Sequence, residues 1–537
     1  MKKLPIGIQT FREIVEGGYV YVDKTQYVYK LISNAKYYFL SRPRRFGKSL
    51  LLDTISEAFS GDKELFKGLF IYDSDWGFEK HPVIRLDMSN IANDSPDVLK
   101  DELISELKIC ADEEGLNFDY NTPSSMFKNL IRKLYNKYNK RVVVLIDEYD
   151  KPILDHLDDI ETAKENRNAL RGFYGVLKSM DPYLRLTFFT GVTKFTKTSI
   201  FSDLNNLLDL TLTEEYSSIC GIATEDLNTY FGEHIENLAH LEMSKRYGSI
   251  HDEILSWYDG YSWDGERRVI NPFSLLSFFK QKRFASYWFA SGTPKFLVDL
   301  IREKPSAYTN LKSLEITELM LDLATIEKIA VELLLFQTGY LTVKETLKTG
   351  GAPAYLLDMP NFEVKEAFDL HILSALTESG DMQARQAQTQ IAGALRSGDM
   401  QKVLELLRGL FASIPYELHV NLEAYYHSVF FAVMNVLGFE IDAEVSVAGG
   451  RVDAVLELEG RAYVIEFKYV KCEQDATPEK KRELFEKALS DGMEQIKGRG
   501  YAKKYEGSGK DVYLAAFAFL GRDEIEMAVC GPQVASG

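Results

Sequence analysis

One stretch of the sequence, Arg141–Leu154 (RVVVLIDEYDKPIL), constrains the fold more than any other. Residues 142–146 form an uninterrupted aliphatic run, which is typical of a strand buried on both faces in the parallel sheet of an α/β domain. Asp147 and Glu148 follow at its carboxyl end, where open α/β sheets bind their ligands. In a nucleotide hydrolase the first acid holds the Mg²⁺ shell and the second polarises the attacking water. A buried strand followed by a charged turn is the alternative interpretation.

A second stretch, Ser41–Ser49 (SRPRRFGKS), lies between an aromatic run and a helical pattern. The order strand, loop, helix places Gly47 at the helix N-terminus, where backbone N–H groups and the helix dipole bind phosphate. Lys48 is predicted to reach the β- and γ-phosphates of ATP, and the Ser49 hydroxyl to bind Mg²⁺. The loop departs from the P-loop pattern at Arg42, where that pattern has Gly. A chance match is the alternative, but the later strand with two acids favours a P-loop.

The two loop arginines, Arg44 and Arg45, are predicted to face the γ-phosphate or a neighbouring subunit. One of them could then stabilise the charge that develops during phosphoryl transfer. The alternative is an ion pair at the helix mouth with an acid such as Asp147 or Asp150.

A further strand is predicted over residues 184–190, and it ends in the polar sequence TGVTK. If the sheet is that of a P-loop protein, this strand lies beside the P-loop strand. Thr190 or Thr193 is then placed to sense the γ-phosphate or to orient the attacking water. An ordinary turn that uses Gly191 is the alternative.

Composition limits the class of protein. The 537 residues predict roughly three to four domains. A net charge of −17 disfavours a general coat for polyanions but leaves room for a local basic channel. The four cysteines form no CxxC pair, which disfavours zinc or disulfides and fits a reducing compartment. Because the N-terminus lacks a signal-peptide pattern and no apolar run could span a bilayer, we expect a soluble, cytoplasmic protein without membrane contact.

The patterns along the chain predict four segments. Residues 1–214 alternate between strands and helices, as in an AAA-like P-loop domain with a parallel sheet. Residues 215–345 are predicted to form a helical lid, with two short strands near 333–343. Residues 346–412 are predicted to form a helical spacer, and residues 413–537 a C-terminal α/β domain.

The C-terminal segment contains acids within otherwise apolar strands. A helix is followed by three strands joined by short turns, which predicts an antiparallel meander over 439–469. Strand alternation places Glu466 and Lys468 on one face, and Asp453 on the preceding strand can share that face. The two carboxylates are predicted to hold a divalent metal, and Lys468 to position or deprotonate a water for attack on phosphorus. An ion-pair ladder on a solvated sheet face is the alternative.

Residues on either side of the meander extend this prediction. Glu423, on the preceding helix, could add a carboxylate to the metal shell. After the meander, a long helical stretch continues through Gln495 and Tyr501 among several lysines and arginines. This surface is predicted to contact a phosphate backbone, with a solvated helix face as the alternative.

Several motifs together resemble a bacterial family of AAA-ATPase-like proteins whose C-terminal part is similar to the PD-(D/E)XK nuclease superfamily. The motifs that carry this resemblance are SRPRRFGKS, VDKT, VLIDEYDKPI, TGVTKF, NPFS, and the pair GRVDAV and VIEFKY. The resemblance implies an N-terminal NTPase of the ASCE type and a C-terminal fold like that of restriction endonucleases. It implies Lys48 and Ser49 as P-loop residues, with Asp147 and Glu148 as the Walker B pair. The candidate nucleotide-binding residues of the loop are Arg44, Arg45, Phe46, Gly47, Lys48 and Ser49. The nuclease residues that it implies are Asp453, Glu466 and Lys468, with Gln495 and Tyr501 as an accessory pair whose spacing is longer than usual.

Two functions follow as hypotheses. The first is an enzyme that binds and hydrolyses ATP and whose nucleotide state controls a nuclease dependent on Mg²⁺ or Mn²⁺, with DNA as the favoured substrate. The second is a nucleotide-switched protein that binds nucleic acid or a partner without cutting it. A homo-oligomer is compatible with either function. The intact Asp, Glu and Lys set favours the first hypothesis.

Overall fold

A computed structural model describes most of the chain. The described residues are 1–117, 119–194, 200–201, 204, 206–238, 249–288, 314–323, 331–347, 353–377, 381–413, 441–447, 450–458, 460–472, 476–498, 510–520 and 524–533. The chain divides into two units, Met1–Ala290 with Lys312–Val364, and Ser291–Leu311 with Lys365–Gly537.

A five-stranded parallel sheet forms the centre of the first unit. Its strands are β1 (Tyr37–Ser41), β2 (Val83–Asp87), β3 (Val142–Asp147), β4 (Leu184–Gly191) and β5 (Leu208–Asp209). They lie in the order β2-β3-β4-β1-β5, so β4 separates β1 from β3. Every residue of β1 and β3 is buried, as expected for parallel strands covered on both faces.

Eight α-helices accompany this sheet in the described part of residues 1–214. They are α1 (Phe11–Glu16), α2 (Thr25–Asn34), α3 (Lys48–Ala58), α4 (Pro96–Glu113), α5 (Pro123–Tyr138), α6 (Lys151–Leu154), α7 (Ile160–Tyr174) and α8 (Val176–Ser179). Local sequence sets several of their ends. The Ser95 and Thr122 side chains cap α4 and α5, and each helix has a proline in its first turn.

The remainder of the first unit combines helices with two small sheets. The helices are α9 (Asp226–Leu238), α10 (Ile250–Tyr258), α11 (Pro272–Gln281), α12 (Glu318–Leu323) and α13 (Val331–Thr338). The strands are β6 (Ile222–Ala223), β7 (Val269–Ile270), β8 (Leu314–Thr317), β9 (Thr342–Leu347) and β10 (Ala354–Asp358). A buried apolar cluster that includes Phe231, Tyr258 and Phe278 holds the first three of these helices together.

This region differs from the sequence prediction in two ways. Residues 331–338 form a helix where a strand was predicted, because the apolar run is long enough for either element and periodicity alone does not separate them. The predicted helical spacer begins inside a sheet, because β9 and β10 pair as a hairpin. Residues up to Val364 belong to the first unit.

The second unit is built on a mixed sheet. Its strands are β11 (Ile441–Val447), β12 (Gly450–Leu458), β13 (Arg461–Val470), β14 (Asp511–Leu520) and β15 (Glu524–Gln533), in sequential order. Strands β11 to β13 are antiparallel, which confirms the predicted meander. Strand β14 runs parallel to β13, and α17 (Pro478–Gly498) lies in the connection between them. The other helices of this part of the chain are α14 (Phe362–Thr377), α15 (Asp381–Ser397) and α16 (Met400–Ala412).

The helices of the second unit cover its sheet. Phe411 of α16 contacts Phe519 of β14 with ring centroids 5.4 Å apart. Phe485 and Ala488 of α17 pack against Ala518 and other apolar residues of β14. These contacts fix α17 against the central strands and so position the residues that it carries toward β13.

None of the helices in the described residues is long and apolar enough to cross a membrane.

Candidate functional site

The lysine of the P-loop lies at the start of α3. Gly47 precedes this helix with a φ of 91°, a backbone conformation that glycine adopts readily. The Lys48 side chain is buried, and its amine donates hydrogen bonds of 3.0 Å to the carbonyls of Arg42 and Pro43. The loop therefore curls around the ammonium group beside the helix N-terminus. A cation and free helical N–H groups in this position suit a phosphate.

Two turns meet at the carboxyl edge of the sheet. We call Asp147–Asp150 the acidic turn and Thr190–Thr193 the threonine turn. The Thr190 hydroxyl donates to the Asp147 carboxylate at 2.5 Å, and the Tyr149 N–H donates to the Thr190 carbonyl at 3.0 Å. The Tyr149 hydroxyl donates to the Thr193 carbonyl at 3.0 Å. Together these bonds join the acidic turn to the threonine turn.

Asp150 completes the connection between the two turns. Its buried carboxylate accepts from the Thr193 N–H at 2.6 Å, from the Thr193 hydroxyl at 2.5 Å and from the Val192 N–H at 3.2 Å. Burial raises the pKa of Asp150, and the hydrogen bonds from Thr193 and Val192 oppose that shift. Asp150 thus joins the two turns and is not paired with an arginine of the P-loop.

The two candidate threonines have different surroundings. Thr190 contacts Asp147, the predicted Mg²⁺ ligand, whereas Thr193 contacts Asp150. A role near the γ-phosphate therefore remains a prediction for Thr190. For Thr193 the contacts indicate a structural role in joining the two turns.

Glu148 has the environment of a candidate general base. Its φ of 49° is unusual for a residue with a side chain, and such strain is often found at functional sites. Burial raises the pKa of the Glu148 carboxyl group, while the nearby Lys48 cation opposes the shift. A raised pKa brings a carboxylate closer to the range in which it accepts a proton from water.

The structure directs two of the predicted loop residues, Arg45 and Phe46, toward other parts of the chain. The Arg45 guanidinium donates to the carbonyls of Tyr287 and Trp288 and lies 3.9 Å from the Phe273 ring centroid. The Phe46 ring is buried at the edges of Tyr261 and Trp263, with centroids 4.8 and 5.5 Å away. The side chain of Phe46 is therefore not a nucleotide contact, and Arg45 forms neither the predicted finger nor the predicted ion pair. Of the two loop arginines, only Arg44 is exposed.

Arg42, at the position of the missing glycine, is fully buried. It donates to the carbonyls of Ser41, Thr211 and Tyr216 at 2.9, 2.8 and 3.2 Å, and its guanidinium lies 4.0 Å from the Trp263 ring centroid. Burial lowers the pKa of Arg42 to about 10, which leaves it charged near neutral pH. Arg42 is thus a structural residue that ties the P-loop to a distant part of the chain.

Gly191 is a functional position that sequence reasoning did not identify. A methyl group there would lie 2.5 Å from the Tyr149 ring and 2.7 Å from an Asp150 carboxylate oxygen. Glycine therefore allows the acidic turn to fold over the end of β4. The sequence signal for this close packing is the glycine within TGVT. From the sequence alone, that glycine is equally compatible with an ordinary turn.

The C-terminal candidate site lies where β12 and β13 stop pairing. The register ends at Ala454 opposite Ile465, and its continuation places Asp453 opposite Glu466 on the same face. The Asp453 carboxylate accepts from the Phe467 N–H at 2.8 Å, which holds it beside β13. The Lys468 amine lies 3.1 Å from the buried Glu466 carboxylate. Alternation along the strands thus brings the three predicted catalytic side chains to one face.

Helix α17 supplies a fourth polar group. The Gln495 side-chain oxygen accepts from the Lys468 amine at 2.8 Å. One turn earlier, a Cβ added at Gly492 would lie 3.0 Å from Ala516 and 3.5 Å from Lys468 Cγ. Gly492 therefore leaves room for the lysine stem between α17 and the sheet. The structure places Gln495 in contact with Lys468, whereas Tyr501 and Glu423 lie outside the described residues.

The donor set of this site fits a divalent cation. Two carboxylates on adjacent strands offer hard oxygen ligands, which Mg²⁺ and Mn²⁺ prefer, and water completes the shell of such ions. Within the described ranges no group of three or more His, Cys, Asp or Glu side chains is placed to bind a metal. Of the predicted metal ligands, the described residues include Asp453 and Glu466, which share one face of the sheet.

Fold and sites together define the class of protein. In the first unit, β4 lies between the P-loop strand and the strand that carries the acidic pair, and in the second a mixed sheet carries Asp453, Glu466 and Lys468. This is an AAA-like P-loop NTPase joined to a PD-(D/E)XK nuclease-like domain, and the predicted fold class is confirmed. The family described as "Predicted AAA-ATPase" matches residues 5–201, and the family "PD-(D/E)XK nuclease superfamily" matches residues 421–527.

A curated relative extends the match to almost the whole chain. The chain is 38% identical over 526 residues to the "Uncharacterized protein in vnfD 5'region" of Azotobacter chroococcum mcd 1, and the alignment covers 96% of each. The chain therefore belongs to the same bacterial family of AAA-ATPase-like proteins with a C-terminal PD-(D/E)XK domain. The ORC2 protein of Aeropyrum pernix, solved in ADPNP-ADP complexes, is similar with a TM-score of 0.27 and 12% identity over 67% of this chain and 98% of that one.

Proposed function

We propose that the protein binds and hydrolyses ATP and that its nucleotide state controls a metal-dependent nuclease that acts on DNA. The observation that carries the nuclease assignment is the convergence of Asp453, Glu466, Lys468 and Gln495 at one end of β13. A solvated ion-pair ladder would not require a buried acid, and Glu466 is only 1% exposed.

In the first unit, each residue has a separate role in phosphoryl transfer. The Lys48 amine would exchange its two carbonyl acceptors for the β- and γ-phosphates of ATP. Ser49 and Asp147 would hold Mg²⁺, and Thr190 would orient Asp147 through its short hydrogen bond. Glu148 would accept the proton of the attacking water.

In the second unit, Asp453 and Glu466 would hold Mg²⁺ or Mn²⁺, which supplies Lewis acidity at the scissile phosphate. The Lys468 amine would orient the attacking water or stabilise the charge that develops on phosphorus. Its bond to Gln495 limits its movement and keeps its position beside Glu466.

Plasmid cleavage tests the proposal. We expect supercoiled DNA to be nicked or cut in Mg²⁺ or Mn²⁺, at a rate that differs between ATP and no nucleotide. Asp453→Asn and Glu466→Gln should each abolish cleavage because neutralising one carboxylate removes charge needed to hold the ion. Lys48→Ala should leave the nuclease centre intact but remove its response to ATP, because the loop loses its cation.

The matched control is Arg482→Ala, on an exposed part of α17, which should cut like the wild type. Cleavage that persists in Glu466→Gln would point to a contaminating nuclease and contradict the assignment. A cleavage rate that does not respond to ATP in the wild type would contradict control by nucleotide while leaving the nuclease itself in place.

A further inference from the structure

An open groove follows α7 and α8 of the first unit. It has a volume of about 600 Å³ and is lined by Asn168, Arg171, Gly172, Gly175, Lys178 and Ser179. We call it the basic groove. Its lining contains two cations and two neutral hydrogen-bonding side chains, with no acid and no large apolar side chain. The open space around Gly172 allows a ligand to approach the backbone closely.

Helix α5 borders the basic groove. The Ser124 hydroxyl donates to the Gly172 carbonyl at 3.0 Å. One and two helical turns further along the same side of α5 are Lys128 and Arg132. The Arg132 guanidinium lies 5.7 Å from the ring centroid of Tyr183, which follows α8 closely in the chain. Helix α5 thus contacts the groove wall at Gly172 and carries two cations along the same side.

Cations outnumber acids in the helices beside the groove, whereas the whole protein has a net charge of −17. Helix α5 has no acid in its sixteen residues but contains Lys128, Arg132, Lys133 and Lys137, of which Lys137 pairs with Glu114. Residues 160–180 contain the acids Glu161 and Glu165 against the cations Lys164, Arg167, Arg171 and Lys178. The neighbouring Asp181 is engaged by Lys36 and Tyr37, which lowers its pKa and keeps it paired.

We propose that the basic groove binds the phosphate backbone of nucleic acid. Clustered cations with neutral amide and hydroxyl donors are the groups that contact phosphates. A membrane surface would call for apolar side chains beside the cations, and the groove lining has none. The proposal rests on the proposed function, because nucleic acid is chosen as the ligand on the basis of the nuclease assignment of the second unit. It adds that the NTPase unit itself contacts the nucleic acid.

Binding measured without catalysis separates this proposal from the enzymatic ones. Fluorescence anisotropy of a short labelled DNA duplex and of its single strand is recorded with Glu466→Gln protein in EDTA, without nucleotide. Arg171→Ala combined with Lys178→Ala should weaken binding by about tenfold or more. It should also reduce the slope of log K against log salt by about 2, since each lost phosphate contact removes about 0.9.

Two controls accompany the double variant. Lys100→Ala removes an exposed lysine of α4 that is paired with Asp97 outside the groove, and it should bind like the parent. Arg171→Lys preserves the charge and should retain most of the affinity. Unchanged urea unfolding of the double variant shows that the fold is intact.

Equal affinity and equal salt slope in the double variant and its parent would overturn the proposal while leaving ATPase and nuclease assignments untouched. A changed oligomeric state with unchanged DNA binding would also overturn it and would assign the groove to a contact between copies. No DNA binding by the parent at low salt would remove both this proposal and the nucleic-acid part of the proposed function.

Discussion

Gly191→Ala tests whether the acidic turn depends on the space beside β4. The added methyl group would lie 2.5 Å from two atoms of the Tyr149 ring and 2.7 Å from an Asp150 oxygen. The Gly191 backbone does not have a positive φ, so the effect comes from space and not from dihedral strain. Tyr149 is buried with its ring against Phe39 and Phe201, at 5.4 and 5.2 Å, and has little freedom to move.

The expected cost follows from the bonds that must give way. Moving the acidic turn aside breaks the Tyr149 hydroxyl bond to Thr193 and the Asp150 bonds to Val192 and Thr193. At about 1 kcal/mol net for each bond, the free energy of unfolding should fall by about 3–4 kcal/mol. Because Glu148 directly precedes Tyr149, ATP turnover should fall about 100-fold, which is the effect of a displacement near 1 Å. ATP affinity should change less than the rate of ATP turnover.

Urea unfolding followed by tryptophan fluorescence measures the stability of the correct unit. The four tryptophans of the chain, Trp76, Trp257, Trp263 and Trp288, all belong to the first unit. The matched control is Gly232→Ala in α9, where an added methyl meets no atom within 4 Å. It should gain up to about 1 kcal/mol, as expected for alanine over glycine in a helix.

The reasoning is refuted if Gly191→Ala unfolds at the wild-type urea concentration and hydrolyses ATP at the wild-type rate. An equal loss of stability in Gly191→Ala and Gly232→Ala would also refute the reasoning, because an added methyl group meets close atoms at Gly191 but not at Gly232.

Three further predictions concern other side chains. Because burial raises the pKa of Glu148, its protonated and inactive form should persist to higher pH than that of an ordinary glutamate. The ATPase rate should therefore rise with pH through this raised pKa, and the residual rate of Glu148→Gln should not show that rise. Arg42→Lys keeps the charge but loses the planar guanidinium group that donates to three carbonyls, so the free energy of unfolding should fall by about 2–4 kcal/mol. Unchanged stability in the same urea assay would contradict a structural role for Arg42. Gln495→Ala should slow single-turnover DNA cleavage by about 10- to 100-fold without changing DNA affinity, because it only releases the Lys468 amine; a parallel loss of affinity would instead indicate direct contact with DNA.

The sequence alone predicts those strands in which every residue is buried. Strand β3 is apolar throughout, and the two acids that end it lie at the carboxyl edge of the sheet as the pattern predicts. Strand alternation placed Asp453, Glu466 and Lys468 on one face without knowledge of the fold. The ASCE arrangement came from the family resemblance, because hydrophobic periodicity does not determine strand order.

Long side chains in the P-loop were predicted less well. Arg45 and Phe46 were expected to face a nucleotide, yet their partners lie more than two hundred residues further along the chain, at Tyr287, Trp288 and Tyr261. Nothing local in SRPRRFGKS specifies those partners. Tertiary contacts therefore decided the orientation of these side chains, and the loop pattern described only the backbone.

The anchoring of the P-loop has a consequence for protein engineering and for sequence tolerance. The general P-loop pattern leaves the positions between its two glycines unspecified, because the backbone N–H groups bind the phosphates. Here Arg42 stacks on Trp263, and the Pro43 side chain packs against Gly339. A Cβ added at Gly339 would lie 2.8 Å from Pro43 Cβ, so the two residues are in close contact. This loop cannot be exchanged for a standard one as a cassette. A saturation library across it should find Pro43, Arg45 and Phe46 intolerant, whereas the exposed Arg44 should accept many residues.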